Sequence, residues 1–318
     1  MPLILVRCLL MNNRRQKEED LQTPRTKKMK HTSRKEFLQD LSLLAAVSLL
    51  PGLSFADAEF LKKSKIKLGL VTYLWAKDWD VPTLIENCAK AGIGGVELRV
   101  DHAHKVMPDI SAARRQEVKK MFADSPVKIV GMGTNEQYDS PDPAKLKANI
   151  DRTKEFIKLS ADIGGTGVKV KPNQFHKDVP HEKTLQQIGR SLSELGKYAA
   201  DFGQKIRLEV HGNGTQELPN IKTIMDNCDS RNSYVCWNCN QEDLIGQGLE
   251  YNFNLVKERF GDTVHVRELD DPEYPYQKLM SLFKDINYKG WILLECRTDP
   301  KDKVAALMEQ KRIFEKMV

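Results

Sequence analysis

The feature that most constrains the fold is an eightfold alternation of short β-branched runs with longer helical patterns, beginning at Lys65. The predicted strands are residues 66–75, 94–100, 127–133, 166–172, 205–212, 233–240, 263–269 and 290–296. The predicted helices are residues 81–88, 111–123, 144–162, 181–202, 218–228, 249–259, 276–285 and 300–316. Strands that alternate with helices pair in parallel, because each helix returns the chain to the same edge of the sheet.

The length of this repeating region favours a closed barrel. Residues 57–318 span about 262 residues, and a (β/α)8 barrel typically has ~250. A doubly wound open sheet is the structural alternative, but no glycine-rich phosphate-binding motif follows the first predicted strand. No linker or low-complexity stretch divides the region. We therefore predict an α/β fold, a single-domain TIM barrel over residues 57–318.

Residues 1–56 have the pattern of a secretory leader. Basic residues follow Met29, residues 41–55 are largely apolar, and Ala56 closes a small-residue cleavage pattern. The apolar run is too short to span a bilayer, and a core helix is the alternative interpretation. Residues 1–28 precede the better start at Met29 and are interpreted as a mis-assigned upstream extension. The leader predicts a periplasmic or otherwise exported protein.

Two export routes fit this leader. Residues 33–38 resemble the twin-arginine export motif, but Lys35 stands where the second arginine belongs. A Sec-type signal and a Tat-like signal therefore both stay open.

The charge balance excludes one class of partner. Residues 1–56 contain 10 of the 50 lysine and arginine residues and 5 of the 44 acidic residues, which leaves a formal charge of +1 elsewhere. The basic isoelectric point of about 8.8 therefore comes mostly from the leader. A basic face for nucleic acid is not expected.

The segment VCWNCNQED, residues 235–243, contains Cys236 and Cys239 three positions apart. A structural zinc site needs a second pair at a suitable spacing, which the sequence does not contain. Strand alternation also sends Cys236 inward and Cys239 outward, a poor geometry for a disulfide. We interpret both as packing residues, with Asn238 on the inward face beside Cys236.

Polar side chains occupy alternate positions near the carboxyl ends of five predicted strands. They are Lys169 and Lys171; Arg207, Glu209 and His211; Cys236, Asn238 and Asn240; His265 and Arg267; and Glu295 and Arg297 after Trp291 and Leu293. In a barrel the apolar alternate set packs on the helices, so these sets point inward. Buried carboxylates and imidazoles are costly unless paired or metal-bound, and barrel enzymes place their chemistry at this end.

Four of these side chains predict a metal site. Glu209, Asn238, His265 and Glu295 end strands five to eight and offer two carboxylates, an amide oxygen and an imidazole. Such donors suit one divalent ion: Mn²⁺, Mg²⁺, Co²⁺ or Zn²⁺. The alternative is a buried ion-pair network in which Arg207, Arg267 and Arg297 are the partners.

The strand-end segments resemble the xylose-isomerase-like TIM-barrel superfamily of sugar isomerases, epimerases and ketose-type dehydratases, in particular exported bacterial proteins of the sugar phosphate isomerase/epimerase type. The segments are residues 95–104, 167–173, 207–215, 235–240, 264–271 and 290–296. The resemblance implies metal ligands Glu, Asp, His and Glu from strands five to eight. Glu209, His265 and Glu295 match, whereas Asn238 replaces the aspartate and Gln241 stands where epimerases often have histidine.

The resemblance also implies a mechanism. A divalent ion polarises a carbonyl, and a base removes the α-proton, with Glu209 and Glu295 as the acid/base pair. Lys169 and His211 are further candidate catalytic groups. For Lys169 and Lys171, a structural salt bridge to Glu97 or Glu209 is an equal alternative.

Other inward or strand-end groups are candidates for substrate binding. They are Glu97, Arg99, His102, His104, Lys171, Arg267 and Trp75. The alternatives are solvated loop residues for the two histidines and core packing for the tryptophan.

These observations predict a metal-dependent carbon–oxygen lyase, a hydratase or dehydratase, acting on a non-phosphorylated keto-sugar or keto-glycoside. Phosphorylated sugars are scarce outside the cytoplasm, and the extra lysine and histidine groups suit a leaving hydroxyl. A sugar isomerase or epimerase and a degenerate sugar-binding barrel are the alternatives. An apurinic endonuclease is disfavoured by the near-neutral charge. The expected partner is a small sugar, with neither nucleic acid nor a membrane span, and a homo-oligomer is compatible with the sequence.

Overall fold

The computed structural model describes residues 65–318, and these residues form a closed barrel of eight parallel strands. The strands are β1 Lys67–Val71, β2 Gly95–Arg99, β3 Lys128–Gln137, β4 Gly167–Lys171, β5 Lys205–Glu209, β6 Ser233–Asn238, β7 Phe260–Val266 and β8 Trp291–Leu294. The predicted TIM barrel is confirmed. The leader predicted over residues 1–56 lies outside the described residues.

One helix follows each strand. The helices are α1 Val81–Ala91, α2 Ala112–Ala123, α3 Pro143–Ile163, α4 His181–Ala200, α5 Leu218–Asp226, α6 Leu249–Val256, α7 Tyr276–Asp285 and α8 Lys303–Met317. None of these described helices combines the length and apolar character that crossing a bilayer requires.

Helix α1 illustrates how local sequence sets these elements. Asp80 caps its start, because the Asp80 carboxylate accepts a hydrogen bond of 2.9 Å from the Thr83 amide. Gly92 ends it with φ at 70°, a left-handed conformation that glycine adopts without strain. Val81, Leu84, Cys88 and Ala91 are its buried residues, so one helical face packs on the barrel.

Strand order follows sequence order, and β1 pairs with β8 to close the barrel. Asn238 is the register partner of His265, and His265 is in turn the partner of Leu293. The carboxyl ends of all eight strands therefore open at one mouth.

Apolar residues form two separate clusters. The large core lies between the sheet and the helices. A small cluster consists of Val71, Val130 and Leu293 with Tyr73 and Trp291 packed against it. The inward placement of Trp291 and Leu293 agrees with the alternation in the sequence.

The amino-terminal end of the barrel, called here the barrel floor, is filled by Arg207. Its guanidinium group donates hydrogen bonds of 2.9 Å to Asp262, 2.7 Å to Thr166 Oγ1 and 3.1 Å to the Val130 carbonyl. A Cβ on Gly131 would lie 2.5 Å from this guanidinium group. Glycine is needed there because no larger residue leaves room for the arginine.

Most element boundaries differ from the predictions by up to about four residues. Strand β3 continues to Gln137, and β7 begins at Phe260. The helix predicted over 249–259 ends at Val256 and continues as a 3-10 turn over Lys257–Arg259. The five described cysteines are buried and free.

Candidate metal centre

Glu209, His265 and Glu295 converge at the barrel mouth. Glu209 ends β5, His265 lies near the end of β7, and Glu295 directly follows β8. One ligand atom from each lies within 4.8 Å of the other two. His265 Nδ1 is 3.2 Å from Glu209 Oε1 and 3.7 Å from Glu295 Oε2. The geometry thus brings together three of the four residues predicted to hold a metal.

The two separations that involve His265 are close to those expected around a single divalent ion. Donors bonded to one ion at about 2.1 Å, with an angle of roughly 100–120° between them, lie roughly 3.2–3.6 Å apart. Two carboxylates and one imidazole form a donor set suited to Zn²⁺, Mn²⁺ or Co²⁺. Glu209 and His265 are buried and Glu295 is partly exposed, so the cluster is closed below and open towards the mouth.

Asn238, the fourth predicted ligand, ends β6 beside His265 and is buried. Its backbone carbonyl accepts a 2.8 Å hydrogen bond from the Asn240 side chain. Gln241 lies farther out, and its side chain donates to the Glu273 carbonyl at 3.4 Å. Whether the Asn238 amide oxygen ligates an ion remains a prediction.

Of the predicted ion pairs, the described residues form the salt bridge between Lys169 and Glu209 and not the arginine network around the two carboxylates. Lys169 Nζ lies 2.7 Å from Glu209 Oε2, and both side chains are 2% exposed. Among the described residues, neither Arg207, Arg267 nor Arg297 forms an ion pair with Glu209 or Glu295. Arg207 instead pairs with Asp262 on the barrel floor.

The two carboxylates have opposite electrostatic environments. Burial opposes ionisation of Glu209, but the Lys169 ammonium group and His265 hold its pKa well below the usual value. Burial raises the pKa of Glu295. The His265 charge acts in the opposite direction, and the nearby Glu209 carboxylate raises the pKa further. Glu209 is therefore the ionised member of the pair, and Glu295 is the member that more readily carries a proton.

His265 is enclosed by negative groups. Burial alone would lower its pKa, but the Cys236 thiol and the Glu97 and Glu209 carboxylates together raise the pKa well above its usual value. Its Nε2 atom lies 3.1 Å from Glu97 Oε1, on the side of the ring away from Glu209. Glu97 was predicted to bind substrate; the structure places it against this ring, with no exposed surface.

The residues that follow β2 form a loop held by its own side chains. His104 Nε2 lies 2.7 Å from the Arg99 carbonyl, and His104 Nδ1 accepts a 3.0 Å hydrogen bond from the Val106 amide. Both ring nitrogens are thus occupied by the backbone, and burial lowers the pKa of His104 to about 4. His102 Nε2 lies 3.3 Å from the Arg99 guanidinium group. Of the predicted substrate-binding residues at this strand end, Arg99 and His102 are partly exposed and able to meet a ligand, whereas His104 is buried.

The other predicted substrate-binding groups differ in accessibility. Lys171, His211 and Arg267 are partly exposed at the strand ends. Burial, with the neighbouring Lys169 charge, lowers the pKa of Lys171, and burial also lowers the pKa of His211. Trp75 is buried in the large core, and its indole N–H donates 2.9 Å to the Thr298 carbonyl.

Two buried polar clusters near the mouth were not predicted. Asp243 accepts hydrogen bonds from Tyr274 at 2.7 Å and from the Asn240 amide at 2.9 Å, and burial raises its pKa to about 7. Asp139 Oδ2 lies 2.9 Å from His176 Nε2. Asp243 lies in a 3-10 turn over Gln241–Leu244, and Asp139 lies in an irregular segment after β3. Strand alternation gives no indication there of which side chains turn inward.

Comparison with known proteins agrees with this architecture. The inosose dehydratase of Clostridium tetani (strain Massachusetts / E88) is 20% identical over 283 residues, which cover 75% of this chain and 92% of that protein. A 3-keto-D-glucoside 4-epimerase from E. coli has a TM-score of 0.67 at 14% identity, covering 80% of this chain and all of that one. The IolI protein with a bound zinc atom has a TM-score of 0.64 at 16% identity, covering 79% of this chain and 97% of that one.

The fold and the mouth of the barrel define a (β/α)8 protein with a carboxylate–histidine cluster at the carboxyl ends of its strands. A family model described as the xylose isomerase-like TIM barrel matches residues 85–316. The chain belongs to the xylose isomerase-like TIM barrel family.

Proposed function

We propose that this protein is a divalent-metal-dependent enzyme that removes a proton α to a carbonyl of a sugar and then expels the β-hydroxyl as water, or that runs the same steps in reverse to add water. The observation that carries the proposal is the convergence of Glu209, His265 and Glu295 within 4.8 Å at the barrel mouth. Lys169 compensates the Glu209 carboxylate, and the remaining buried negative charge is costly unless a second cation balances it. Glu295 is the partly exposed member of the cluster, so a substrate would approach the ion from its side.

Glu209, His265 and Glu295 would hold the ion, with the Asn238 amide oxygen as a fourth donor. When bound, the ion polarises the substrate carbonyl and stabilises the negative charge that develops on its oxygen. One ligand has less charge here than the resemblance implies, because Asn238 replaces an aspartate. We expect a correspondingly weaker or more selective metal affinity.

The protein groups divide the proton chemistry between them. Glu209 is held ionised by Lys169, so it is placed to accept a proton. Glu295, at 13% side-chain exposure, is placed to carry a proton to or from the opposite side of the substrate. General acid–base catalysis by positioned groups of this kind contributes about 10²–10⁴-fold.

Lys169 and His211 favour a lyase over an epimerase. An epimerase needs two proton-transfer groups, and the two glutamates supply them. The Lys169 ammonium group lies 2.7 Å from Glu209 and holds that carboxylate ionised, and the partly exposed imidazole of His211 follows on the same strand face. His211 thus adds a third proton-transfer group, which suits protonation of a departing hydroxyl.

The names of similar proteins support sugar chemistry in general. The curated relative from Clostridium tetani is an inosose dehydratase, and similar folds include a 3-keto-D-glucoside 4-epimerase and an L-ribulose 3-epimerase. The epimerase names favour a second candidate function, epimerisation or isomerisation of a sugar by the same proton abstraction. The zinc atom in the IolI structure supports a divalent ion in this fold.

The substrate class follows from the proposed location. The leader pattern over residues 1–56 supports export, and phosphorylated sugars are scarce outside the cytoplasm. We therefore favour a free keto-sugar or keto-glycoside over a sugar phosphate.

The test is incubation of metal-loaded protein with a panel of keto-sugars and keto-glycosides in D₂O. A lyase or hydratase yields an elimination or hydration product. Deuterium at the α-position of a product that has neither lost nor gained water would establish epimerisation or isomerisation instead. Absence of both labelling and product, with retained sugar binding, would contradict an enzymatic function.

Single substitutions connect the chemistry to the site. Glu209→Gln and Glu295→Gln should each lower turnover at least about 100-fold, since each removes an acid/base group. Glu136→Gln is the matched control, because Glu136 is partly buried on β3 and contacts Arg152 rather than the cluster. Turnover that survives either of the first two substitutions would contradict the assigned roles.

A further inference from the structure

His265 lies between carboxylates on both edges of its ring. Nδ1 faces Glu209 and Glu295 at 3.2 and 3.7 Å, and Nε2 faces Glu97 at 3.1 Å. Neither Glu97 oxygen has a well-aligned hydrogen bond among the described residues, and the same holds for His265 Nε2. At 3.1 Å, these two groups are therefore placed to be hydrogen-bond partners of each other.

The barrel wall is shaped to admit the Glu97 carboxylate. A Cβ on Gly133, in the neighbouring strand β3, would lie 2.8 Å from Glu97 Oε1. The register places Gly133 beside Arg99, one pleat beyond Glu97. A residue with a side chain at position 133 would push the carboxylate away from the imidazole.

We propose that Glu97 is a positioning residue that holds the Nε2 proton of His265 and so directs Nδ1 to the metal. The inference rests on the metal site of the proposed function. A neutral imidazole carries one ring proton, and the nitrogen without it binds metal. A carboxylate on the other nitrogen selects the tautomer, fixes the ring orientation and increases the basicity of the ligand.

The same geometry argues against a substrate contact by Glu97. Its side chain has no exposed surface, and it contacts the edge of the imidazole opposite to Glu209 and Glu295. A sugar at the open mouth would meet Glu295, Lys171 or His211 first. Glu97 therefore acts through His265.

The substitution that tests this role is Glu97→Gln. Glutamine keeps the size of the side chain and an oxygen that accepts a hydrogen bond, but it removes the negative charge. Affinity for Mn²⁺ or Zn²⁺, measured by competition with a chromophoric chelator, should fall about 10–100-fold. Unchanged affinity in this variant would overturn the inference.

Asp262→Asn is the matched control. It also neutralises a carboxylate that faces into the barrel, but at the floor, where its partner is Arg207. We expect this control to lose stability and to keep its metal affinity. Equal losses of affinity in the two variants would show that general destabilisation, not the Glu97–His265 contact, governs binding.

A measurement on the unmodified chain covers the case in which Glu97→Gln does not fold. Nitrogen-15 NMR of histidine-labelled, zinc-loaded protein should show metal bonded to His265 Nδ1 and a slowly exchanging proton on Nε2. Metal bonded to Nε2 would overturn the inference.

The outcomes separate this inference from the proposed function. A protein that binds zinc through Nδ1 in a Glu97-dependent way, yet exchanges no substrate proton, supports the inference and contradicts the enzymatic proposal. Proton exchange that persists with full metal affinity in Glu97→Gln supports the enzyme and contradicts the positioning role.

Discussion

Lys169 is a buried cation placed beside a candidate metal ligand. Its ammonium group is 2.7 Å from Glu209, and both side chains are 2% exposed. Removing one member of such a pair leaves an uncompensated buried charge, which costs about 3–5 kcal/mol. A divalent ion held by Glu209 would supply part of the missing charge. Lys169 and the ion therefore stabilise the same carboxylate.

This shared partner predicts the behaviour of Lys169→Met. Without metal, we expect the free energy of unfolding to fall by about 3–5 kcal/mol. Added Mn²⁺ should raise the melting temperature of this variant more than that of the unmodified protein, because the ion offsets the Glu209 charge. Thermal denaturation with a chelator and with Mn²⁺ measures both effects.

A surface pair provides the comparison for Lys169→Met. Lys154 and Glu194 lie 2.6 Å apart, but the glutamate is 52% exposed, so Lys154→Met should cost less than about 1 kcal/mol. An equal metal-induced shift in Lys169→Met and the unmodified protein would contradict the shared stabilisation of Glu209.

At the scale of elements, the strands β5 and β7 are joined at the barrel floor by an ion pair. Arg207 has no exposed side-chain surface, and its Nε atom is 2.9 Å from Asp262. The Arg207 and Lys205 charges overcome the effect of burial and lower the pKa of Asp262 to about 2. The pair thus contributes stability that is lost as the pH falls from about 4 towards 2.

Asp262→Asn should destabilise the protein by about 3–5 kcal/mol, because the buried Arg207 charge loses its anionic partner. Urea denaturation at neutral pH measures the loss. Asp226→Asn removes an exposed partner of Lys222 and should change the free energy of unfolding by less than about 1 kcal/mol. Similar losses in the two variants would contradict the role of the floor pair.

The strands themselves were predictable because their alternation is local. The period of two in residues 205–212 predicts that Arg207, Glu209 and His211 share a face. The register shift between Val96 and Glu97 in the β2–β3 pairing was not predictable. Such an irregularity depends on how neighbouring strands fit together, not on the hydrophobic pattern of either one.

At the scale of the whole molecule, two buried groups give opposite pH dependences. Burial lowers the pKa of His104 to about 4 and raises the pKa of Asp243 to about 7. The stability that neutral His104 provides is present above about pH 6.5 and declines as the pH falls towards 4. The stability that protonated Asp243 provides is fully present below about pH 4 and declines as the pH rises through 7.

Substitutions should separate these two effects. The free energy of unfolding of the unmodified protein is compared with that of each variant at pH 5 and at pH 7. Between these pH values the difference from His104→Gln should increase by about 2 kcal/mol in favour of the unmodified protein. The difference from Asp243→Asn should change in the opposite direction, by about 2–3 kcal/mol. Urea denaturation at both pH values gives the two differences. Slopes of the same sign would contradict the buried environments assigned to these side chains.

The sequence by itself determined the barrel, its eight strand–helix units and the polar residues that point into its mouth. Periodicity is a local property, so Glu209, His265 and Glu295 could be assigned to strand ends before any contact was known. Only the tertiary structure decided which charges meet. Barrel closure and strand register bring Glu97 to His265, and they send Arg207 to Asp262 at the floor. They also make Glu209, rather than Glu97, the ion-pair partner of Lys169. Pairings between distant strands depend on the packed geometry of the whole barrel, which alternation along one strand does not encode.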